Sequence, residues 1–320
     1  MRTRSTLRVV PLIIFCYILV GGRLLPTAYR SVLLPRTGSI CFSTADGSCI
    51  MAKSPRDAVK KLLSPDVCAC TVPALTHDTS LVDLWEDCAA STPGGGYPEF
   101  EVAAPVYLRA EDDVFGSELR ENLLEDLRIR RGGREGHLAW EADGEEYAKL
   151  LKLVFPRLTE LALSVAAVAR EVDTSRTLSI VFVRVESRAN VGYSRLQALH
   201  HVFLRGCVTL SGDATEVLPA SAVDWDSYEK FDLPLRQEYS ISDEAFNAAV
   251  AGGRAPEPLL ERPTADRLLL MKGIRWQGLV GDSSRGAVHR SPPSGAYLRL
   301  TADATNYADF SHFEYVEKKK

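Results

Sequence analysis

Two stretches of this 320-residue chain concentrate the side chains that could do chemistry. Leu199 to Pro219 (LHHVFLRGCVTLSGDATEVLP) holds His200, His201, Arg205 and Glu216. Leu268 to Leu300 holds Lys272, Trp276, His289, Arg290 and Arg299. An imidazole can hold a metal or serve as a hydrogen-bonding group. A guanidinium can clamp a carboxylate through its rigid fork, or pair with a buried acid of its own chain. His289 and Arg299 stand ten residues apart, with Pro292-Pro293-Ser294-Gly295 between them, so they form one turn-linked unit. His200 lies at the mouth of a strand-like run, and Glu216 on the next such run. Arg205 alternates with apolar neighbours, which suits a buried ion pair with Glu186 or Glu216.

Other chemistries are poorly represented. The chain has no GxxxxGK[ST] phosphate loop, no GxGxxG after a strand, no GxSxG elbow and no HExxH. ATPases, dehydrogenases with that fingerprint, α/β-hydrolases and zincins are therefore disfavoured. The pair Cys68-Ala69-Cys70 could suit a soft metal, but no second Cys pair stands at zinc-ribbon distance. Cys49, Cys88 and Cys207 complete an irregular set that gives no disulfide framework. Trp225 and Trp276 read as packing residues, and His77, His137 and His312 as surface groups.

The elements that must position these residues follow from periodicity. A helical stripe runs from about Ser117 to Ile129, with Leu119, Leu123 and Leu127 in register. A second begins near Asp143 and carries Leu150, Val154, Leu158, Leu161, Val165 and Val168, with Pro156 expected to kink it. After Asp173 the period becomes strand-like: Leu178 to Glu186, His201 to Leu210, Glu216 to Leu218, Arg267 to Met271, Ala287 to His289 and Tyr297 to Thr301. Residues 220–265 read as a long acidic excursion with a short helix near Asp243 to Val250. Helices first and strands second predict an α+β fold with an antiparallel sheet, sandwich or barrel.

The start of the chain reads as an address. Arg2, Arg4 and Arg8 precede an apolar run, Val9 to Val20, that is too short for a membrane span of about 20 residues. Residues 1–45 hold six of the 38 basic residues and none of the 42 acidic ones. The Arg- and Ser-rich stretch after the apolar run has the composition of a transit peptide. The pair resembles the two-part leaders of algae and related protists with complex plastids, which implies an organelle lumen, above all the plastid. Secretion and a mitochondrial presequence are the alternatives. Residues 46–66 read as a linker, 67–310 as one α+β domain with a loop at 91–98, and 311–320 as a charged tail ending Lys318 to Lys320. Without the leader, 32 basic residues face 42 acidic ones, a balance of −10 that disfavours nucleic acid as a partner. No membrane span is expected in the mature protein, and the oligomeric state is left open.

Leu204-Arg205, Thr215-Glu216-x-Leu218-Pro219, Lys272-Gly273, Trp276 and His289-Arg290-Ser291-Pro292-Pro293 together resemble the uncharacterised, mainly bacterial family called domain of unknown function 1826. More distantly, the order of His, later His and Arg is similar to that of iron(II)- and 2-oxoglutarate-dependent oxygenases. That resemblance implies a helical N-terminal part packed on an antiparallel double-stranded β-helix, jelly-roll-like. It also implies Fe(II) and 2-oxoglutarate, or Zn, as cofactors. Metal ligands would be His200, His289 and Glu216, with Arg299 as catalytic clamp of the 2-oxoglutarate carboxylate and Arg205 as a second cofactor contact. The sequence departs from the pattern at its first half. Ala198-Leu199-His200 stands where His-x-Asp is required, and His200 and His201 would point to opposite faces of a strand. Two readings follow: an oxygenase-like metalloenzyme, or a non-catalytic protein on the same fold that binds a small ligand, metal or partner. A role in zinc handling is a third.

Overall fold

Alternation of polar and apolar side chains along three neighbouring strands decides how this fold is layered. The computed structural model describes residues 19–20, 23–24, 49–73, 83, 87, 100–109, 114–122, 144–188, 195–232, 241–263, 267–276, 285–291 and 297–306. Contacts divide the chain into two units, Met1–Cys41 and Phe42–Lys320. In the first, β1 (Leu19–Val20) and β2 (Arg23–Leu24) form a short antiparallel ladder. Otherwise the expected leader lies outside the described residues, as do the 91–98 loop, the helical stripe beyond residue 122, the 311–320 tail, Cys88, His77, His137 and His312.

Among the described residues, the second unit holds two sheets. The larger has seven strands in the order β3 (Cys49–Met51), β4 (Ala69–Val72), β10 (Leu268–Lys272), β8 (Leu204–Ser211), β12 (Tyr297–Thr305), β6 (Ile180–Arg188) and β5 (Phe100–Tyr107). All its pairings are antiparallel except β3 with β4. The smaller is β7 (Gln197–Ala198), β11 (Val288–Arg290) and β9 (Glu216–Leu218), antiparallel throughout. From β6 to β12 successive strands alternate between the two sheets, which is the winding of a jelly-roll-like double-stranded β-helix. The fold class is α+β, as the sequence implied.

On β12, Leu300, Ala302 and Ala304 point one way while Arg299, Thr301 and Asp303 point the other. The apolar side, with Val181, Val183, Val185, Leu204 and Val208, packs on the helix Gly144–Val172 through Leu158, Leu161, Val165 and Val168. That helix continues through Pro156, which is exposed, so the carbonyl left without a donor can meet water. It approaches β8 at Gly206, where an added Cβ would collide with Val165 and contact Leu161 at 3.0 Å.

The other side of the large sheet faces the small one, and Cys207, Leu269 and Met271 meet Leu199, Val217 and Ala287 between them. Outside the small sheet, Ala198, Leu218 and Val288 pack on Tyr228, Phe246 and Val250 of the helices Trp225–Asp232 and Asp243–Val250. Among its described residues the excursion at 220–265 therefore holds two α-helices rather than one. The segment expected to be a linker, 46–66, instead supplies β3 and the helix Pro55–Leu62, with Ala52, Ala58, Val59 and Leu62 in the core. Its charged residues gave it a linker composition. They lie on the outer face of an amphipathic helix whose Ser54 side chain caps Asp57 N–H. Among the described residues, no helix is long and apolar enough to cross a membrane.

Candidate functional site between the two sheets

Register places each expected site residue on a definite face. On the small sheet His289 stands opposite Val217 and Gln197, whereas Arg290 stands opposite Glu216. Neighbouring side chains alternate, so His289 and Glu216 point to opposite faces. His289 turns toward the large sheet, on the side of Val217 and Ala287. Glu216 turns outward, where Arg290 Nε donates to its Oε2 at 2.7 Å and Arg262 pairs with its Oε1. Arg290 reaches on to Glu257 at 3.3 Å. Glu216 is thus bound into an outer charge chain and is remote in direction from His289.

His200 follows β7 in a turn, exposed, with its Nε2 3.2 Å from the Tyr228 hydroxyl. That hydroxyl also accepts the Ala198 N–H at 2.8 Å. Since Tyr228 belongs to the helical layer outside the small sheet, His200 is held on the outer side as well. Of the three expected metal ligands, only His289 enters the inter-sheet space. No group of three or more His, Cys, Asp or Glu side chains that could hold a metal occurs among the described residues. An iron site built on His200, His289 and Glu216 does not fit this donor set.

The large sheet contributes the rest of the inter-sheet layer. Arg205 stands opposite Asp303, and Arg299 opposite both Glu186 and Thr209. A register shift between Leu298 and Arg299 marks a bulge beside Arg299, a common device for re-aiming a side chain. Arg205 is bound bidentately by Asp303, with Nε to Oδ1 and Nη2 to Oδ2 both at 2.6 Å. It pairs with neither Glu186 nor Glu216. Arg299 Nη2 donates to Glu186 Oε2 at 2.6 Å and to the Tyr297 hydroxyl at 3.0 Å. Its Nη1 donates to Thr215 Oγ1 at 3.3 Å and Ser291 Oγ at 3.2 Å. In each guanidinium a carboxylate of the chain itself holds Nη2, so a 2-oxoglutarate carboxylate could be gripped bidentately only by displacing Asp303 or Glu186.

The electrostatics follow from this crowding. His289 is 4 % exposed, and its pKa is pushed down to about 3 by burial and then by the nearby Arg205 and Arg299 cations. It is therefore a neutral imidazole at neutral pH. Its Nδ1 is buried with no hydrogen-bond partner in the protein, and so is Arg299 Nε. Burial alone would raise the Glu186 carboxyl, but Arg299 and Arg184 outweigh it and hold the pKa at about 2. Cys207, with Sγ 3.6 Å from Thr215 Oγ1, is a buried thiol whose pKa is raised by burial, so it is no thiolate. Side chains of Arg205 and Arg299 keep 19 % and 15 % of their surface, so solvent reaches the layer.

Sequence reasoning found His289, Arg205 and Arg299 but missed Asp303 and Tyr297. The signal was present in Tyr297-Leu298-Arg299-Leu300-Thr301-Ala302-Asp303, whose alternation puts both on the face of Arg299. Trp276 is fully buried, as expected, with Lys272 Nζ 5.4 Å from its ring centroid.

Comparison with curated protein sequences gives no match. Among solved structures, the chain is similar to a dioxygenase for auxin oxidation from rice, at 10% identity and a TM-score of 0.39, covering 80% of this chain and 83% of that one. It is similar to the dioxygenase for auxin oxidation 1 from Arabidopsis thaliana in its complex with 2-oxoglutarate, at 12% identity and 0.39, covering 81% and 92%. A 2OG-Fe(II) oxygenase family protein from Caulobacter crescentus gives 9% identity and 0.38, covering 78% and 81%. Likeness at this level says nothing of activity. At the level of sequence, residues 181–301, from β6 into β12, match the model of the family described as protein of unknown function (DUF1826).

Proposed function

We propose that this chain is a non-catalytic small-ligand-binding protein whose ligand sits between the two sheets, against His289. The observation that carries this reading is the buried, partnerless Nδ1 of His289. Buried polar atoms are nearly always satisfied, and one left open in a solvent-reached polar layer is suited to a ligand or water. Arg299 Nε offers a second open donor in the same layer. The iron-oxygenase reading loses support because His200 and Glu216 are committed on the other face of the small sheet.

The test is a thermal-shift screen of small polar metabolites on wild type and His289→Ala. A compound that stabilises wild type, and stabilises the variant at least about tenfold more weakly, supports the reading. If every stabilising compound acts equally on both proteins, the ligand does not lie at His289.

A further inference from the structure

Each guanidinium that faces the inter-sheet space is bound by a carboxylate of the chain itself. Asp303 takes Arg205 through two bonds of 2.6 Å. Arg299 is more elaborately filled. A guanidinium has five N–H donors. In Arg299 both terminal nitrogens have two partners each, and Nε alone has none. Glu186 is gripped from several sides: Arg299 at 2.6 Å, Arg184 Nη1 at 3.2 Å, and the Tyr297 hydroxyl at 3.4 Å. The pairing is built into the sheet, because β6 and β12 place Glu186 directly opposite Arg299.

We infer that Glu186 is a specificity-determining residue: a built-in carboxylate that occupies Arg299 Nη2, the nitrogen common to both bidentate faces of the guanidinium, so that the inter-sheet site rejects carboxylate ligands and takes uncharged polar ones. The inference rests on the reading of this space as a ligand site. A second carboxylate brought to Arg299 would lie beside Glu186 in a poorly solvated layer, where like charges repel strongly. Glu186 cannot escape by taking up a proton near neutral pH, since its two arginines keep it ionised. An uncharged ligand meets no such repulsion. It can use the open His289 Nδ1 and Arg299 Nε, one of which is a donor whatever the imidazole tautomer.

The experiment titrates 2-oxoglutarate into the full chain by calorimetry, as wild type, Glu186→Gln and Glu186→Gln/Arg299→Gln. Wild type is expected to show no saturable binding at concentrations up to about 1 mM. Glu186→Gln, with Arg299 released, should bind at least about tenfold tighter, and the double variant should lose that gain. Arg299-dependent binding by wild type overturns the inference, and so does a folded Glu186→Gln protein that gains nothing. Should Glu186→Gln not fold, Glu186→Ala decides, since it removes both the charge and the contact with Arg299. Gained binding in Glu186→Ala supports the inference, and binding equal to wild type overturns it. A failure here with wild type still binding uncharged ligands at His289 sinks only the role of Glu186. Loss of that His289-dependent binding sinks the ligand-site reading itself.

Discussion

Arg205 on β8 and Asp303 on β12 face each other across the ladder and exchange two hydrogen bonds of 2.6 Å. The pair is mostly buried, with side-chain exposures of 19 % and 8 %. Removing one member leaves an uncompensated charge, whereas removing both leaves apolar surface. Asp303→Asn should therefore cost about 3–5 kcal/mol in urea unfolding. The double replacement Arg205→Met/Asp303→Leu should cost far less than the single one. Equal losses in the two proteins would show that the charges are not coupled.

Acid stability has two windows of opposite chemical origin. The imidazole of His289 takes a proton at about 3 in the fold against 6.5 ordinarily. As pH falls below 6.5 the unfolded chain gains a proton that the fold refuses, so stability declines from there toward pH 3. Glu186 is held at about 2 against 4.5 ordinarily. Its contribution, on the order of 3 kcal/mol, is present above pH 4.5 and is lost as pH falls from 4.5 toward 2. Denaturation midpoints of His289→Gln should be flatter than wild type between pH 6.5 and 4.5, and should still fall below that. Parallel curves through the upper window would show that His289 takes up its proton over the same pH range in the fold as in the unfolded chain.

Glycines at two close approaches should not tolerate a methyl group. At Gly206 a Cβ would strike Val165 of the long helix, so Gly206→Ala should lose about 1–3 kcal/mol. At Gly273 it would fall on the backbone carbonyl of Val202, which cannot move aside as a side chain can. Gly273→Ala should therefore lower the thermal midpoint more than Gly206→Ala does. The reverse order would mean that the backbone at Val202 yields more easily than the helix.

Much of this fold was legible in the chain because its strands alternate. Glu216–Leu218 and Asp243–Val250 lie where the pattern put them, and Tyr297–Thr305 extends the expected strand by four residues. The helix Pro55–Leu62 was not legible, since its lysines and short length read as linker until Ala58, Val59 and Leu62 find the core. The site was half legible. Chain order brought His289 and Arg299 together, and the bulge at Leu298 and Arg299 helps to aim the second. Face choice was hidden for His200, whose direction depends on Tyr228, a residue 28 positions away. Glu216 illustrates the same difficulty, because a one-residue offset from His289 across β9 and β11 sends it to the opposite face.

Metal uptake tests the central claim most directly. The purified chain is incubated with Fe(II) or, separately, Zn(II), desalted and assayed for bound metal and for 2-oxoglutarate decarboxylation. With His289 alone of the three expected ligands in the inter-sheet space, retained metal should be far below one equivalent, unchanged in His289→Ala, with no turnover. About one equivalent of iron, lost together with turnover in His289→Ala, would contradict the account.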